Sequence, residues 1–326
     1  MGEHLPTLYR YTALKQRVLG LDRLEEHDLQ VPLFHEAEFK FSYEEAQEML
    51  LAAVAPLGED YVAIVRTGYA EGWIDVQENR GKRSGAYSSG VYDTQPYILL
   101  NWSDQLGDTF TLAHEMGHSV HSYLASRSQP YVYGDYPIFT AEVASTCNEM
   151  LLMHHLLGQT TDHHRRLYLL DYYLNQINGT VFRQTMFAEF EYAIHRASED
   201  RETLTADWLD EQYQQLLVRY WGPLVQWDRE RSGLSWTRIP HFYYNYYVYQ
   251  YATAYAAAAA LSRAILRDNV TERERYLDVL RSGNSRYPVE TLQLGGVDMT
   301  TDRPVNDVVA LFGSLLDEVE RLLAEG

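Results

Sequence analysis

His114, Glu115 and His118 form an H-E-x-x-H run inside Phe110-Thr111-Leu112-Ala113-His114-Glu115-Met116-Gly117-His118-Ser119-Val120-His121. On a helix, residues four apart share one face about a turn apart, so the two imidazoles can hold a single zinc ion. Glu115 follows the first histidine directly and so reaches a water on the metal rather than the metal itself. A metal that polarises a carbonyl and acidifies water, beside a carboxylate that takes the proton, is the equipment of a zinc peptidase. The competing reading is an ordinary helix with surface histidines. Against it, Phe110, Leu112, Ala113 and Val120 give this helix an apolar flank that belongs in a core.

A site with two helical histidines needs a third protein ligand and one open position. The metzincin spacing asks for a glycine at 121 and a histidine at 124. This chain has His121 and Leu124 there, so that pattern fails. A glutamate from a later helix is the alternative. Glu142 stands near the start of the next helix, beyond a loop bounded by Pro130 and Pro137. Two antiparallel helices joined by that loop can bring it to the histidines. Glu149 lies two turns further along the same face. It either bonds a ligand histidine from behind or is a solvated or helix-pairing glutamate. His121 shares the face of the motif and is assigned no role.

The elements that must position these residues are mostly helical. Leu8–Leu21 has helical spacing and stops near Gly20. Ser42-Tyr43-Glu44-Glu45 is a capping box ahead of Ala46–Leu57, with Gly58 as the stop, and Asp60–Tyr69 reads as a further short helix. From Gly72 to Trp102 the texture turns glycine-rich, and Tyr97–Trp102 reads as a buried strand. A small sheet is therefore expected just before the metal helix. Its edge would either take an extended peptide by strand addition or be a plain structural hairpin. Ser103 and Asp104 offer N-caps for the H-E-x-x-H helix, which runs to about Ser126. The next helix spans about Phe139–Leu157. Asp162–Ser198 is a long helical stretch broken near Gly179, and Thr205 caps another helix to Tyr220. Trp236–Pro240 is a loop, and a tyrosine-rich helix runs from His241 to Leu266. Thr271–Glu274 is a second capping box with Gly283 as the stop. Pro288–Leu294 and an amphipathic Val305–Leu323 close the chain. The fold expected is mainly α, with one small β-sheet ahead of the metal-binding helix.

The chain has 326 residues and a formal net charge of -19. Such an acidic surface repels phosphates, which argues against nucleic acid or an anionic membrane as a partner. No stretch is long and apolar enough to span a bilayer, and Tyr251–Leu266 is interrupted by Arg263. No signal peptide is visible at the N-terminus. The single cysteine, Cys147, permits no intrachain disulfide and fits a reducing compartment. A soluble cytoplasmic protein is expected.

Several linked motifs resemble oligoendopeptidase F and its relatives in the thimet-oligopeptidase class. They are L-A-H-E-M-G-H-S-V-H-S-Y-L at Leu112–Leu124 and A-E-V-A-S-T-C-N-E at Ala141–Glu149. With them go K-R-S-G-A-Y-S-S-G from Lys82, F-R-Q-T-M-F-A-E-F-E from Phe182, H-F-Y-Y-N-Y-Y-V-Y-Q-Y-A-T from His241, and Gly295-Gly296-Val297-Asp298-Met299. The resemblance covers most of the chain. It implies a zincin-like helical metallopeptidase that cuts short peptides in a deep channel. One Zn2+ per chain would be held by His114, His118 and Glu142, with Glu115 as general base. His241 and Tyr246 or Tyr249 would donate to the tetrahedral intermediate. Members of that family carry a substantial helical region ahead of the part seen here. Residues 1–326 are accordingly expected to be a single catalytic domain without it. Two rivals stand: a peptide-binding protein that keeps the zinc fold but cleaves little or nothing, and a helical structural protein with no metal.

Overall fold

The structure is a computed structural model that describes residues 2–34, 39–228, 230–267 and 270–325. Its helices are α1 (Leu5–Val18), α2 (Tyr43–Ala53), α3 (Glu59–Ala70), α4 (Leu106–Ser128), α5 (Ile138–Gln159) and α6 (His163–Ile177). They continue as α7 (Arg183–Glu199), α8 (Ala206–Trp221), α9 (Tyr249–Ile265), α10 (Val270–Arg281), α11 (Pro288–Leu294) and α12 (Arg303–Glu325). Five short strands are β1 (Leu24–Glu25), β2 (Ile74–Asp75), β3 (Tyr87–Ser89), β4 (Tyr97–Leu99) and β5 (Val225–Gln226). The mainly helical class with a small sheet ahead of the metal helix is as the sequence indicates. The chain divides into two compact units: Met1–His35 with His163–Ala252 and Val308–Gly326, and Glu36–Asp162 with Thr253–Asp307.

In the second unit, α4 and α5 pack together, with α2, α3, α10, α11 and the sheet around them. The sheet order is β2-β4-β3, β2 running parallel and β3 antiparallel to β4. The strand expected over Tyr97–Trp102 stops at Leu99 and is covered on one face only: Ile98 is buried while Tyr97 is 55% exposed. The expected cap of α4 also moves. Asp104 adopts φ 63° and stays outside the helix. Gln105 is the N-cap, and the Asp108 carboxylate accepts from the backbone N–H of Ser103 and Gln105 and from the Ser103 hydroxyl. One carboxylate in the first turn thus gathers three donors from the residues that lead into the helix. The loop from Pro130 to Pro137 is pinned at its far side. Tyr133 O accepts from Asn284 N–H at 2.9 Å, and Gln129 Nε2 donates to Arg281 O at 2.9 Å. Gly283 makes that approach with φ 48°, in space a Cβ would fill. Thr271 lies inside α10 rather than at its cap, and positions 268 and 269, just ahead of that helix, lie outside the described residues.

In the first unit, α1, α6, α7, α8 and the C-terminal part of α12 enclose a core that includes Leu8, Tyr11, Leu174, Phe182, Phe190 and Phe312. The break expected at Gly179 is a π-turn, Asn178–Phe182, that joins α6 to α7 without ending the helix. β1 and β5 pair in parallel, with Leu24 opposite Val225. The loop expected over Trp236–Pro240 is largely 3-10 helix, Ser232–Arg238. The tyrosine-rich helix does not begin at His241. His241 sits in a 3-10 turn, Pro240–Tyr243, and α9 starts only at Tyr249. The reason is tertiary: the Glu191 carboxylate of α7 accepts the Tyr246 amide at 2.8 Å and holds that residue at φ 51°.

Candidate metal centre

The centre forms where α4 and α5 come unusually close. A Cβ on Gly117 would lie 2.7 Å from Ala144 O and from Ser145 Cα, so only glycine lets the two backbones approach this far. Asn148 ties the pair together. Its Nδ2 donates to Ala113 O at 3.1 Å, and its Oδ1 accepts from Tyr61 at 2.8 Å. These contacts carry Glu142 from α5 to the face of α4 that bears the histidines.

His114 Nε2 and His118 Nε2 are 3.2 Å apart, and Glu142 Oε2 is 3.5 Å from the first and 3.8 Å from the second. Tetrahedral coordination with bonds of about 2.0–2.2 Å requires ligand atoms roughly 3.3–3.6 Å apart. The triangle therefore fits one small divalent cation. Among the described residues it is the group of histidine, cysteine and carboxylate side chains that can hold a metal ion. Glu149 Oε1 lies 2.5 Å from His114 Nδ1. A neutral ring that donates Nδ1–H to Glu149 presents the Nε2 lone pair to the centre. The open choice for Glu149 thus resolves to a bond from behind the histidine. The Ala141 backbone bonds the His118 ring in a similar way. Ser145 Oγ donates to Glu142 Oε2 at 3.2 Å.

Burial sets the electrostatics. It works against a charged His114, yet the Glu149, Glu142 and Glu115 carboxylates outweigh it and push that histidine up to about 9. Burial, helped by the neighbouring His114, drives His118 well below the usual histidine range. Burial raises both Glu142 and Glu115. Buried carboxylates around two imidazoles are a setting that a cation relieves.

Glu115 is 7% exposed, and its carboxylate is bonded by the Ser88 backbone of β3. Ser88 Oγ also meets Ser119 Oγ at 2.8 Å, so the edge strand is stitched to α4. A Cβ on Gly90 would lie 2.8 Å from Ser122 Cβ, so glycine keeps that approach close. A cavity of about 710 Å3 opens beside the centre, its walls including Ser88, Gly90, Tyr92, His118, Tyr136 and Glu142. His121 does not join the centre. It is buried, stacks on Tyr136 at 3.6 Å, and is held neutral by burial, which takes it down to about 3.

The three late candidates belong to the other unit. His241 sits among Tyr244, Tyr247 and Tyr251, stacked on Tyr247 at 5.6 Å. Tyr246 instead stacks on His195 at 4.4 Å, and Tyr249 is the first residue of α9, 40% exposed. Glycine at the helix crossing, the Ser88 amide on Glu115 and the Glu191 clasp on Tyr246 escape a reading by motif. The small residues Ala144 and Ser145 opposite Gly117 are the signal that could have exposed the first.

The profile of Peptidase family M3 matches residues 1–311. The chain is 51% identical over 323 residues to Oligopeptidase PepF of Bacillus subtilis (strain 168), covering 99% of this chain and 48% of that protein. It is 46% identical over 326 residues to Group B oligopeptidase PepB of Streptococcus agalactiae, covering 100% of this chain and 54% of that one. The crystal structure of oligoendopeptidase-F from Enterococcus faecium superposes with a TM-score of 0.77 at 39% identity, covering 100% of this chain and 51% of that chain. The chain thus spans about half the length of the curated relatives it matches. With the match running through the H-E-x-x-H helix and the glutamate helix alike, the chain belongs to peptidase family M3.

Proposed function

We propose that this chain carries the catalytic centre of a zinc-dependent oligopeptidase that hydrolyses short peptides. The observation that carries the reading is the triangle of His114 Nε2, His118 Nε2 and Glu142 Oε2, with buried Glu115 beside it. Membership of the M3 family and the names of the relatives support it. His114, His118 and Glu142 would hold the zinc, whose preference for nitrogen and oxygen donors they meet. When bound, zinc supplies Lewis acidity and lowers the pKa of a coordinated water.

Glu115 acts as the general base. Its carboxylate takes a proton from the attacking water and delivers it to the amine nitrogen as the C–N bond breaks. Burial raises its pKa, which suits a group that must both accept and return a proton. The substrate lies extended along β3, the sheet edge that borders the cavity. His241 and Tyr246 or Tyr249 donate to the oxyanion that develops on the scissile carbonyl. The left-handed backbone of Tyr246, clasped by Glu191, supports a functional demand at that position, because such conformations are costly and gather at working sites. Residues 1–326 act in this reading as one catalytic domain. The lone, buried Cys147 is in keeping with a reducing cytoplasmic setting.

Glu115→Gln tests the role of the base. The variant should keep its zinc and its fold while turnover falls about 10²–10⁴-fold. Undiminished turnover would remove Glu115 from the mechanism.

A further inference from the structure

A second cavity of about 710 Å3 is lined wholly by residues of the first unit. The π-turn between α6 and α7 ends at Phe182, and Arg183 is the next residue. π-turns occur often where a helix must re-aim a side chain for function. Arg183 forms part of the cavity wall and is largely buried. Among the described residues its guanidinium has no hydrogen-bond or ion-pair partner. Burial lowers its pKa from the ordinary arginine value. Arg238, at the end of the adjoining 3-10 segment, lines the same cavity and likewise has no ion-pair partner among the described residues.

The carboxylates in this wall have bonds of their own, and Arg231, a further guanidinium of the wall, lies 3.7 Å from Asp228. Glu25 accepts from the Asp28 backbone and lies 3.7 Å from His27. Glu26 accepts from Ser232, and Asp228 accepts from the Glu230 backbone at 3.0 Å. Arg183 and Arg238 are thus guanidinium groups of this wall without an ion-pair partner among the described residues, and beside its polar groups the wall carries an apolar patch of Met186, Phe187, Leu217 and Trp221. A largely buried guanidinium such as that of Arg183 is costly to keep without an acceptor, and a planar carboxylate is its natural complement.

We propose that this cavity binds the C-terminal carboxylate of a short peptide ending in a hydrophobic residue. Arg183 and Arg238 take the carboxylate, and the aromatic and aliphatic wall takes the last side chain. The proposal is independent of the metal-centre reading, because every residue it uses lies in the other unit.

The test is binding of N-acetyl-leucyl-phenylalanine to metal-free protein, followed by calorimetry and by the fluorescence of Trp221 and Trp227. The same measurement is made with the C-terminal amide of that peptide and with inorganic phosphate. The acid should bind at least tenfold more tightly than the amide, and phosphate alone should bind weakly. Arg183→Gln should weaken the acid at least tenfold and leave the amide unchanged. Arg238→Gln changes the exposed member of the pair and leaves Arg183 in place. It should weaken the acid several-fold in a protein that folds normally by circular dichroism. No binding, equal binding of acid and amide, phosphate binding as tight as the acid, or affinities that ignore both substitutions would each overturn the assignment.

Discussion

Glu149 illustrates how much of a metal centre is decided one residue behind its ligands. Its carboxylate sits 2.5 Å from His114 Nδ1 and fixes which nitrogen faces Glu142 and His118. Removing the charge while keeping the shape should loosen the metal without unfolding the chain. Glu149→Gln is therefore expected to weaken zinc binding about 10–100-fold, measured by competition with a chromophoric chelator. Unaltered affinity would reduce Glu149 to a helix-pairing role. His121 makes the opposite point: it shares the motif's helix yet is buried against Tyr136, a neutral packing ring.

At the scale of elements, the centre depends on the distance between α4 and α5. Gly117 sets that distance, and the Asn148 bonds to Ala113 O and Tyr61 hold it. Gly117→Ala places a methyl group against the Ala144–Ser145 backbone, which cannot move aside as a flexible side chain would. We expect a loss of about 1–3 kcal/mol from overpacking, read by urea unfolding of the metal-free protein, together with weaker zinc binding as Glu142 is pushed off. Native stability with native zinc affinity would mean that the crossing is looser than its geometry. The local signals of the chain were legible in the sequence for a physical reason. The Ser42–Glu45 box, the Thr205 cap and the Pro288 start are each satisfied within one turn of helix. The pairing of His114 with His118 was legible because their spacing follows from helix geometry, whereas the place of Glu142 beside them depends on a second helix and shows only in the fold. What was not legible depends on distant partners. The stretch after His241 has helical composition, but Glu191, far back in the chain, captures the Tyr246 amide and delays α9 to Tyr249. Asp108 likewise outcompetes the nearer caps of α4.

For the molecule as a whole, acid–base behaviour couples folding to pH in the unit that does not carry the candidate metal centre. Asp171 on α6 is 2% exposed and accepts from Leu33 N–H at 2.8 Å and from Asn175 at 2.9 Å. Burial dominates these bonds and pushes its carboxyl up to about 6. Unfolded, the group titrates near about 3.9. The folded chain therefore holds an extra proton between these values. The stabilising contribution is complete below about pH 4 and is lost as pH rises through about 6, a total of about 3 kcal/mol. Asp171→Asn has no such proton to lose. From pH 4 to pH 7 the stability of the wild type relative to the variant should fall by about that amount in urea unfolding. A difference that does not change with pH would contradict the assignment of this group.

The central claim is that these residues build a working zinc centre. Hydrolysis of a quenched fluorescent peptide, with zinc quantified in the same sample and a chelator control, tests it directly. About one zinc per chain and cleavage that stops with the chelator and returns with zinc are the predicted result. Cleavage that persists after complete removal of the metal, or a folded chain that takes up no zinc, would contradict it.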